Sequence, residues 1–350
     1  LEPFAPLTYP FAQQPSPGEA LEPVAGVRWL RMPLPFELDH VNLWLLEETD
    51  GWTVVDTGLN LEALKSHWEA VLATHCRKKP VKRILVTHCH PDHLGLARWL
   101  GERTGAALWI TQSEMLNAYA WYHQLPNYDV DGMVAFFRRH GLDEARAALL
   151  KGRGPTYRGR LDGLPTEYHR LIDGDLLRIG GHDWRVIVGY GHSPEHASLY
   201  CAGLDILISG DMLLPRISTN VSVMSANPDG DPLGRFLDSI ERFTELPEST
   251  LVLPSHGRPF RGIRARVAQL AEHHRQRCEA LLAALDTAKS ACELLPVLFR
   301  RSLDAHQTMF AMGESIAHLN RLEHAGRVRR HRDAAGTTLF VATRKPEGED

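Results

Sequence analysis

Thr87-His88-Cys89-His90-Pro91-Asp92-His93 is the stretch on which the fold turns. It places three imidazoles and a carboxylate directly after Arg83-Ile84-Leu85-Val86, an apolar run that reads as a buried strand. Neutral imidazole nitrogens and carboxylate oxygens suit a borderline divalent cation such as Zn²⁺. Ligands at the mouth of a strand converge on one point only if the following turn is tight. Pro91 helps end the strand, and a helix is expected from His93 to about Leu100. Cys89 sits between two candidate ligands, but strand alternation points it away from them, toward inert packing.

Working outward, Gly26–Met32, Val41–Leu46 and Trp52–Asp56 read as strands. An amphipathic helix follows the cap candidate Asn60, with Leu61, Leu64, Trp68 and Val71 at three- and four-residue steps, and ends before Pro80. Further strands are expected at Ala107–Ile110, Leu176–Ile179, Trp184–Val188, Ala197–Cys201, Asp205–Ile208 and Leu251–Leu253. Helices are expected over about 112–150 and from Asp231 to about Leu246. Strands, helix, strand, helix and more strands, twice over, predict two mixed sheets with helices outside, an αββα sandwich. From Ile263 the pattern is helical, with Val267, Leu270, His274 and Cys278 on one face. Helices from Ala305 to Met312 and from Glu314 to Ala325 are then expected before a hairpin over Arg327–Arg330 and Thr337–Val341, which together read as a winged-helix domain.

The 350 residues, 43% apolar and 23% charged, are enough for about two domains. A net charge of -4 gives no reason to expect a polyanionic partner for the whole chain. Cys76, Cys89, Cys201, Cys278 and Cys292 are widely spaced and contain no C-x-x-C pair, which points to a reducing cytoplasm. The opening, with Pro3, Pro6, Pro10, Pro15 and Pro17, shows no signal-peptide pattern, and no uncharged run approaches the ~20 residues of a membrane span. A soluble protein without a membrane partner is expected.

Four more polar groups follow apolar strands: Asp56-Thr57-Gly58, Gly191-His192-Ser193-Pro194, Gly210-Asp211 and Ser255-His256-Gly257. A lone His or Asp in such a place is more often a satisfied strand-end residue than a ligand. Recurrence of the same context, a strand followed by a ligand-type residue and by Gly or Pro, reverses that expectation.

These five motifs, in this order over roughly Gly26 to Phe260, resemble the metallo-β-lactamase-fold hydrolase superfamily. The resemblance implies that His88, His90 and His192 hold one metal, that Asp92, His93 and His256 hold a second, and that Asp211 bridges them. Asp56 resembles the buried aspartate that orients the ligand loop, so Asp92, Asp211 and Asp56 are the implied catalytic carboxylates. The implied cofactors are two divalent ions, zinc first, with iron or manganese as alternatives. Two such ions acidify a shared water to hydroxide near neutral pH and clamp attacking and departing atoms. The implied organisation is a proline-rich extension over 1–25, a catalytic domain over 26–262 with a helical insertion at about 112–150, and a winged-helix-like domain over 263–350.

His90 stands where an oxygen-reducing diiron relative would carry Glu. A bridging Asp211 is characteristic of thioesterase, lactonase and nuclease-like members rather than true β-lactamases. The aromatic-rich segment after Gln112, including Trp121 and Tyr122, suits an acyl or aryl ester or thioester better than a bare sugar phosphate. Arg258 and Tyr190, each two residues from a ligand, are further substrate-contact candidates. Glu195 reads as a solvated loop charge ahead of a base, and His196 as a donor to a ligand or a strand cap. The leading expectation is a dinuclear hydrolase of small thioesters or esters, acting on a small-molecule substrate and compatible with a homodimer. The alternatives are an iron-dependent persulfide dioxygenase, resembled through T-H-C-H-x-D-H, and an RNase or phosphodiesterase assisted by the winged helix. Arg327, Arg329, Arg330 and Arg332 could meet phosphates in that last reading, though a solvated basic face is the commoner outcome.

Overall fold

The structure, a computed structural model, describes residues 6–77, 79–154 and 156–343. Leu1 and Pro3 of the proline-rich opening, and the tail beyond Thr343 assigned to the C-terminal domain, lie outside them. Two compact units are formed. The first draws on residues up to His123, Thr156–Thr219 and Ser239–Ala268, and the second on Gln124–Pro155, Asn220–Asp238 and the chain from Gln269. The segment read as one insertion at about 112–150 is thus divided between the units.

Among the described residues of the first unit, seven strands pair in chain order: β1 (Ala20–Val24), β2 (Val27–Pro33), β3 (His40–Glu47), β4 (Trp52–Val55), β5 (Val81–Leu85), β6 (Ala107–Thr111) and β7 (His169–Leu171). β1 to β4 are antiparallel and β4 to β7 parallel. Parallel neighbours need crossovers. These contain α1 (Glu62–Thr74), then α2 (Pro91–Leu94) and α3 (Ala97–Thr104), then α4 (Gln112–Tyr122), α5 (Val130–Arg139), α6 (Glu144–Gly152) and α7 (Thr156–Gly159). A second sheet joins β8 (Leu176–Ile179), β9 (His182–Gly189), β10 (His196–Cys201), β11 (Ile206–Gly210) and β12 (Leu251–Pro254) in the order β12-β11-β10-β9-β8. Only its β11–β12 pair is parallel, and that crossover contains α8 (Pro232–Glu241).

Strand alternation builds the layers. Trp29, Trp44, Leu46, Val55 and Leu85 of the first sheet pack with Trp184, Val186, Leu199, Ile208 and Leu253 of the second. On the opposite face of the first sheet, Leu30, Leu43, Leu45, Val54 and Ile84 bury against Leu64, Trp68 and Val71 of α1, Leu100 of α3 and Met115 of α4. At the second sheet, Tyr190 N–H donates to Ser239 Oγ of α8 at 2.9 Å, and Arg242 donates to Val188 O at 2.7 Å. The chain therefore has the mixed α/β fold expected, with two sheets between helices.

Several local expectations are corrected. Residues 20–24 of the proline-rich opening form the edge strand β1, because Leu21 and Val24 pack on the inter-sheet core. Asn60 does not cap α1, whose boundary residue is Leu61; Asn60 N–H donates to Arg160 O at 3.0 Å. The helix expected from His93 to Leu100 is broken into α2 and α3, since Leu96 N–H turns to Gly58 O at 3.1 Å and Thr57 Oγ1 at 3.2 Å.

The second unit contains α5, α6, most of α9 (Ile263–Ala284), α10 (Leu295–Leu298) and α11 (Ala305–His324), with the hairpin β13 (Val328–Arg332) and β14 (Thr338–Ala342). Two helices were expected where α11 runs unbroken. Gly313 is not a stop but a close-approach site: a Cβ there would lie 2.7 Å from Ser222 Oγ, and Gly313 O accepts from Val223 N–H. A complete capping box at Asp304 and Gln307 starts this helix.

Candidate metal centre

All the predicted ligand positions lie in the first unit, at or just beyond strand ends: His88, His90, Asp92 and His93 after β5, His192 between β9 and β10, Asp211 after β11, and His256 after β12. β10, β11 and β12 lie side by side in the second sheet, and the loop after β5 of the first sheet meets them at their ends. Ala197 N–H donates to Thr87 O and Ser255 N–H to Gly210 O, so the loops are joined by backbone hydrogen bonds.

The side chains fall into two groups, His88, His90, His192 and Asp211, and Asp92, His93 and His256, each with ligand atoms within 4.8 Å of one another. In the first, His88 Nε2 lies 2.9 Å from His90 Nδ1 and 3.2 Å from His192 Nε2. Asp211 faces both groups with different oxygens. Its Oδ2 is 3.4 Å from His192 Nε2, whereas its Oδ1 is 3.3 Å from His256 Nε2 and 3.6 Å from His93 Nε2. Asp92 Oδ2 is 3.6 Å from both His93 Nε2 and His256 Nε2.

Buried polar atoms are ordinarily hydrogen-bonded, yet His93 Nε2 and Asp211 Oδ1 are buried and make no hydrogen bond to protein. Nitrogen and carboxylate donors converging in this way fit divalent cations.

A set of backing hydrogen bonds fixes the rings. Asp56 accepts from Thr87 N–H at 2.8 Å and from Thr87 Oγ1 at 2.9 Å, and its Oδ2 lies 2.8 Å from His93 Nδ1. His256 Nδ1 donates to His40 O at 2.7 Å. Both rings therefore turn Nε2 toward the carboxylates, the tautomer control that metal-ligating imidazoles need. His196 Nε2 accepts from Asp211 N–H at 3.1 Å, so His196 orients Asp211 through its backbone.

The two groups differ in charge. Burial, with His93 and His90 beside it, holds His88 well below the ordinary imidazole range, and burial together with His192 takes His90 down to about 3. These rings keep free lone pairs. His93 is different: burial pulls it down, but Asp92, Asp56 and Asp211 raise it to about 10. His256 is likewise lowered by burial and raised overall by Asp211. Asp211 is pushed up by burial and held well below the carboxylate range by His256 and His93. A cation entering the second group therefore displaces protons.

Sequence reasoning missed two buried backing residues. Glu114, in the first turn of α4, accepts from Cys89 N–H at 2.9 Å and from Glu195 N–H at 2.7 Å. Asn42 donates to Pro254 O and Gly257 O, each at 2.8 Å, and accepts from Trp29 Nε1, securing the loop of His256. A polar residue at a position that apolar periodicity assigns to the core was the available signal for both. Glu195 is not a solvated loop charge. Its Oε2 accepts from Ser113 N–H at the start of α4 and its carbonyl accepts from Thr111 Oγ1. Cys89 is buried, its thiol pushed far up by burial.

Of the expected substrate contacts, Trp121 lies 6.4 Å, centroid to centroid, from Tyr157, whose hydroxyl donates to Cys89 O in the ligand loop. Tyr122 packs against the core of the first sheet beneath Arg158. Tyr190 is exposed and Arg258 half-buried. In the second unit, Arg327 pairs with Glu279 and Arg330 with Glu323 and Asp229, which neutralises two of the four wing arginines. His318 and Arg321 are engaged within that unit, by His274 and Asp231.

A His/Asp cluster at strand ends between two helix-flanked sheets defines a class of metal-dependent hydrolases, and the comparisons agree. Residues 37–256 match the Metallo-beta-lactamase superfamily, and the chain belongs to it. Residues 278–343 match the family described as Metallo-beta-lactamase-like, C-terminal domain. A beta-lactamase domain protein from Burkholderia ambifaria is 46% identical, with a TM-score of 0.90 over 96% of this chain and 98% of that one. The probable metallo-hydrolase YqjP of Bacillus subtilis is 25% identical over 90% of this chain and 97% of its own length. Hydroxyacylglutathione hydrolase of Rhodobacter capsulatus is 26% identical over 64% of each chain. No helix among the described residues is long and apolar enough to cross a membrane.

Proposed function

We propose that the chain is a dinuclear metal hydrolase of small thioesters or esters. The observation that carries the reading is Asp211, whose two carboxylate oxygens address two separate histidine groups. His88, His90, His192 and Asp211 Oδ2 would hold one ion, and Asp92, His93, His256 and Asp211 Oδ1 the other. When bound, a pair of divalent ions, zinc being the ion the donor set suits best, supplies Lewis acidity and a water acidic enough to act as nucleophile at neutral pH. The chain's own residues do the rest. Asp56 and His40 O keep Nδ1 of His93 and His256 protonated, so that both rings offer Nε2. Asp92 is the more exposed carboxylate, at 21% against 11% for Asp211. In this reading Oδ2 of Asp92, the oxygen facing His93 and His256, would be the one turned to an ion, and its other carboxylate oxygen takes the proton released at attack and returns it to the departing thiolate or alkoxide.

The hydroxyacylglutathione hydrolase relative, whose name describes cleavage of an acylated thiol, supports a thioester substrate. Trp121, Tyr122, Tyr190 and Arg258 are proposed to contact it. The five cysteines are free, which suits a reducing cytoplasm. The test is elemental analysis of protein purified without chelator, with a panel of thioesters, lactones and phosphodiesters. Two divalent ions per chain with thioester or ester turnover is the expected result. One iron per chain with oxygen consumption on a persulfide would overturn it.

A further inference from the structure

Glu114 is fully buried, 0% exposed, on the helix that follows β6, and its two carboxylate oxygens are spent on backbone groups of two different ligand loops. Oε2 holds Cys89 N–H, between His88 and His90; Oε1 holds Glu195 N–H, three residues past His192. The loop of His192 is also tied to the start of this helix, Ser113 N–H to Glu195 Oε2 at 3.1 Å, and to the last residue of β6, Thr111 Oγ1 to Glu195 O at 2.8 Å. Asn117, one turn further along α4, donates to Cys89 Sγ at 3.2 Å. A carboxylate is seldom left fully buried unless it is paired, and here its partners are two N–H donors rather than a cation.

We infer that Glu114 is a positioning residue for one of the two ion sites, fixing the spacing of His88 and His90 against His192. The inference rests on the dinuclear reading above. The second group is set by other residues: Asp56 behind His93, His40 O behind His256, and Asn42 behind the loop of His256. Loss of the Glu114 bridge therefore acts on one ion and spares the other.

The chemistry selects the variants. Glu114→Gln keeps the volume and one acceptor but turns an NH₂ toward the remaining N–H. Glu114→Asp is a methylene too short to span both loops. Thr111→Val removes only the hydroxyl held by Glu195 O and serves as the milder displacement should neither Glu114 variant fold.

The experiment is stepwise zinc titration of the metal-free full chain against a chromophoric chelator, repeated with cobalt(II) and read by its visible absorption. Wild type should take up two ions. In Glu114→Gln and Glu114→Asp one step weakens tenfold or more while the other stays within threefold, and the cobalt spectrum of the weakened site alone changes. Thr111→Val shifts the same step in the same direction, by less. Two unchanged steps, or two steps weakened alike in a variant with wild-type circular dichroism, would overturn the inference. A wild-type chain that binds a single ion would instead overturn the dinuclear reading on which it rests.

Discussion

Asp56 and His93 form a buried pair, carboxylate Oδ2 to ring Nδ1 at 2.8 Å, in a part of the first unit where neither side chain is more than 2% exposed. The same carboxylate receives the N–H and hydroxyl of Thr87, the residue before His88. One aspartate thus sets both the tautomer of His93 and the path of the ligand loop.

Replacing Asp56 by Asn keeps the shape and removes the charge that holds the Nδ1 proton. Loss of such an orienting partner costs about 10- to 100-fold in metal affinity. Chelator competition on the Asp56→Asn variant should show that drop, and an affinity equal to wild type would remove Asp56 from its assigned role.

Gly210 lies at φ +53°, and a Cβ there would sit 2.3 Å from His196 Nε2, the atom that receives Asp211 N–H. Gly210→Ala therefore combines backbone strain with displacement of a packed ring. A loss of at least about 2 kcal/mol in urea unfolding is expected, together with weaker metal binding. A variant as stable as wild type would contradict this packing.

In the second unit, burial takes His140 down to about 4, His274 to about 2 and His318 to about 4. His274 Nδ1 and His318 Nε2 share one hydrogen bond at 3.1 Å. Unfolded imidazoles titrate near ~6.5, so below that pH the unfolded chain binds protons that the folded rings refuse. Their contribution to stability is complete above about pH 6.5 and is lost as the pH falls toward 4, at up to about 1.4 kcal/mol per pH unit for each group. Urea midpoints of metal-free protein from pH 7.5 to 5 should decline less steeply in His318→Gln than in wild type. Equal slopes would show that His318 is not held neutral.

The residues that gather in the two groups were legible because each follows a short apolar strand, and a strand's end fixes where the next residues point. His88, His192, Asp211 and His256 needed only that rule and a family order to be assembled. Glu114 and Asn42 could be noticed as polar residues at core positions, but their partners were not legible, since each works through backbone groups of loops distant in sequence, 25 residues from Glu114 to Cys89 and 212 from Asn42 to Pro254. Gly313 misled for the opposite reason: glycine marks both helix ends and close contacts, and only the neighbour Ser222 distinguishes them. β1 was hidden because prolines earlier in the opening made the whole segment look irregular, although Leu21 and Val24 carry a strand's burial.

The most direct test is the metal content of Asp211→Ala beside wild type, measured by elemental analysis after purification without chelator. Asp211 is the residue that faces both histidine groups, so its loss should lower bound divalent ion from two equivalents toward one and depress turnover. Two equivalents retained in the variant would contradict the bridging role and the dinuclear account built on it.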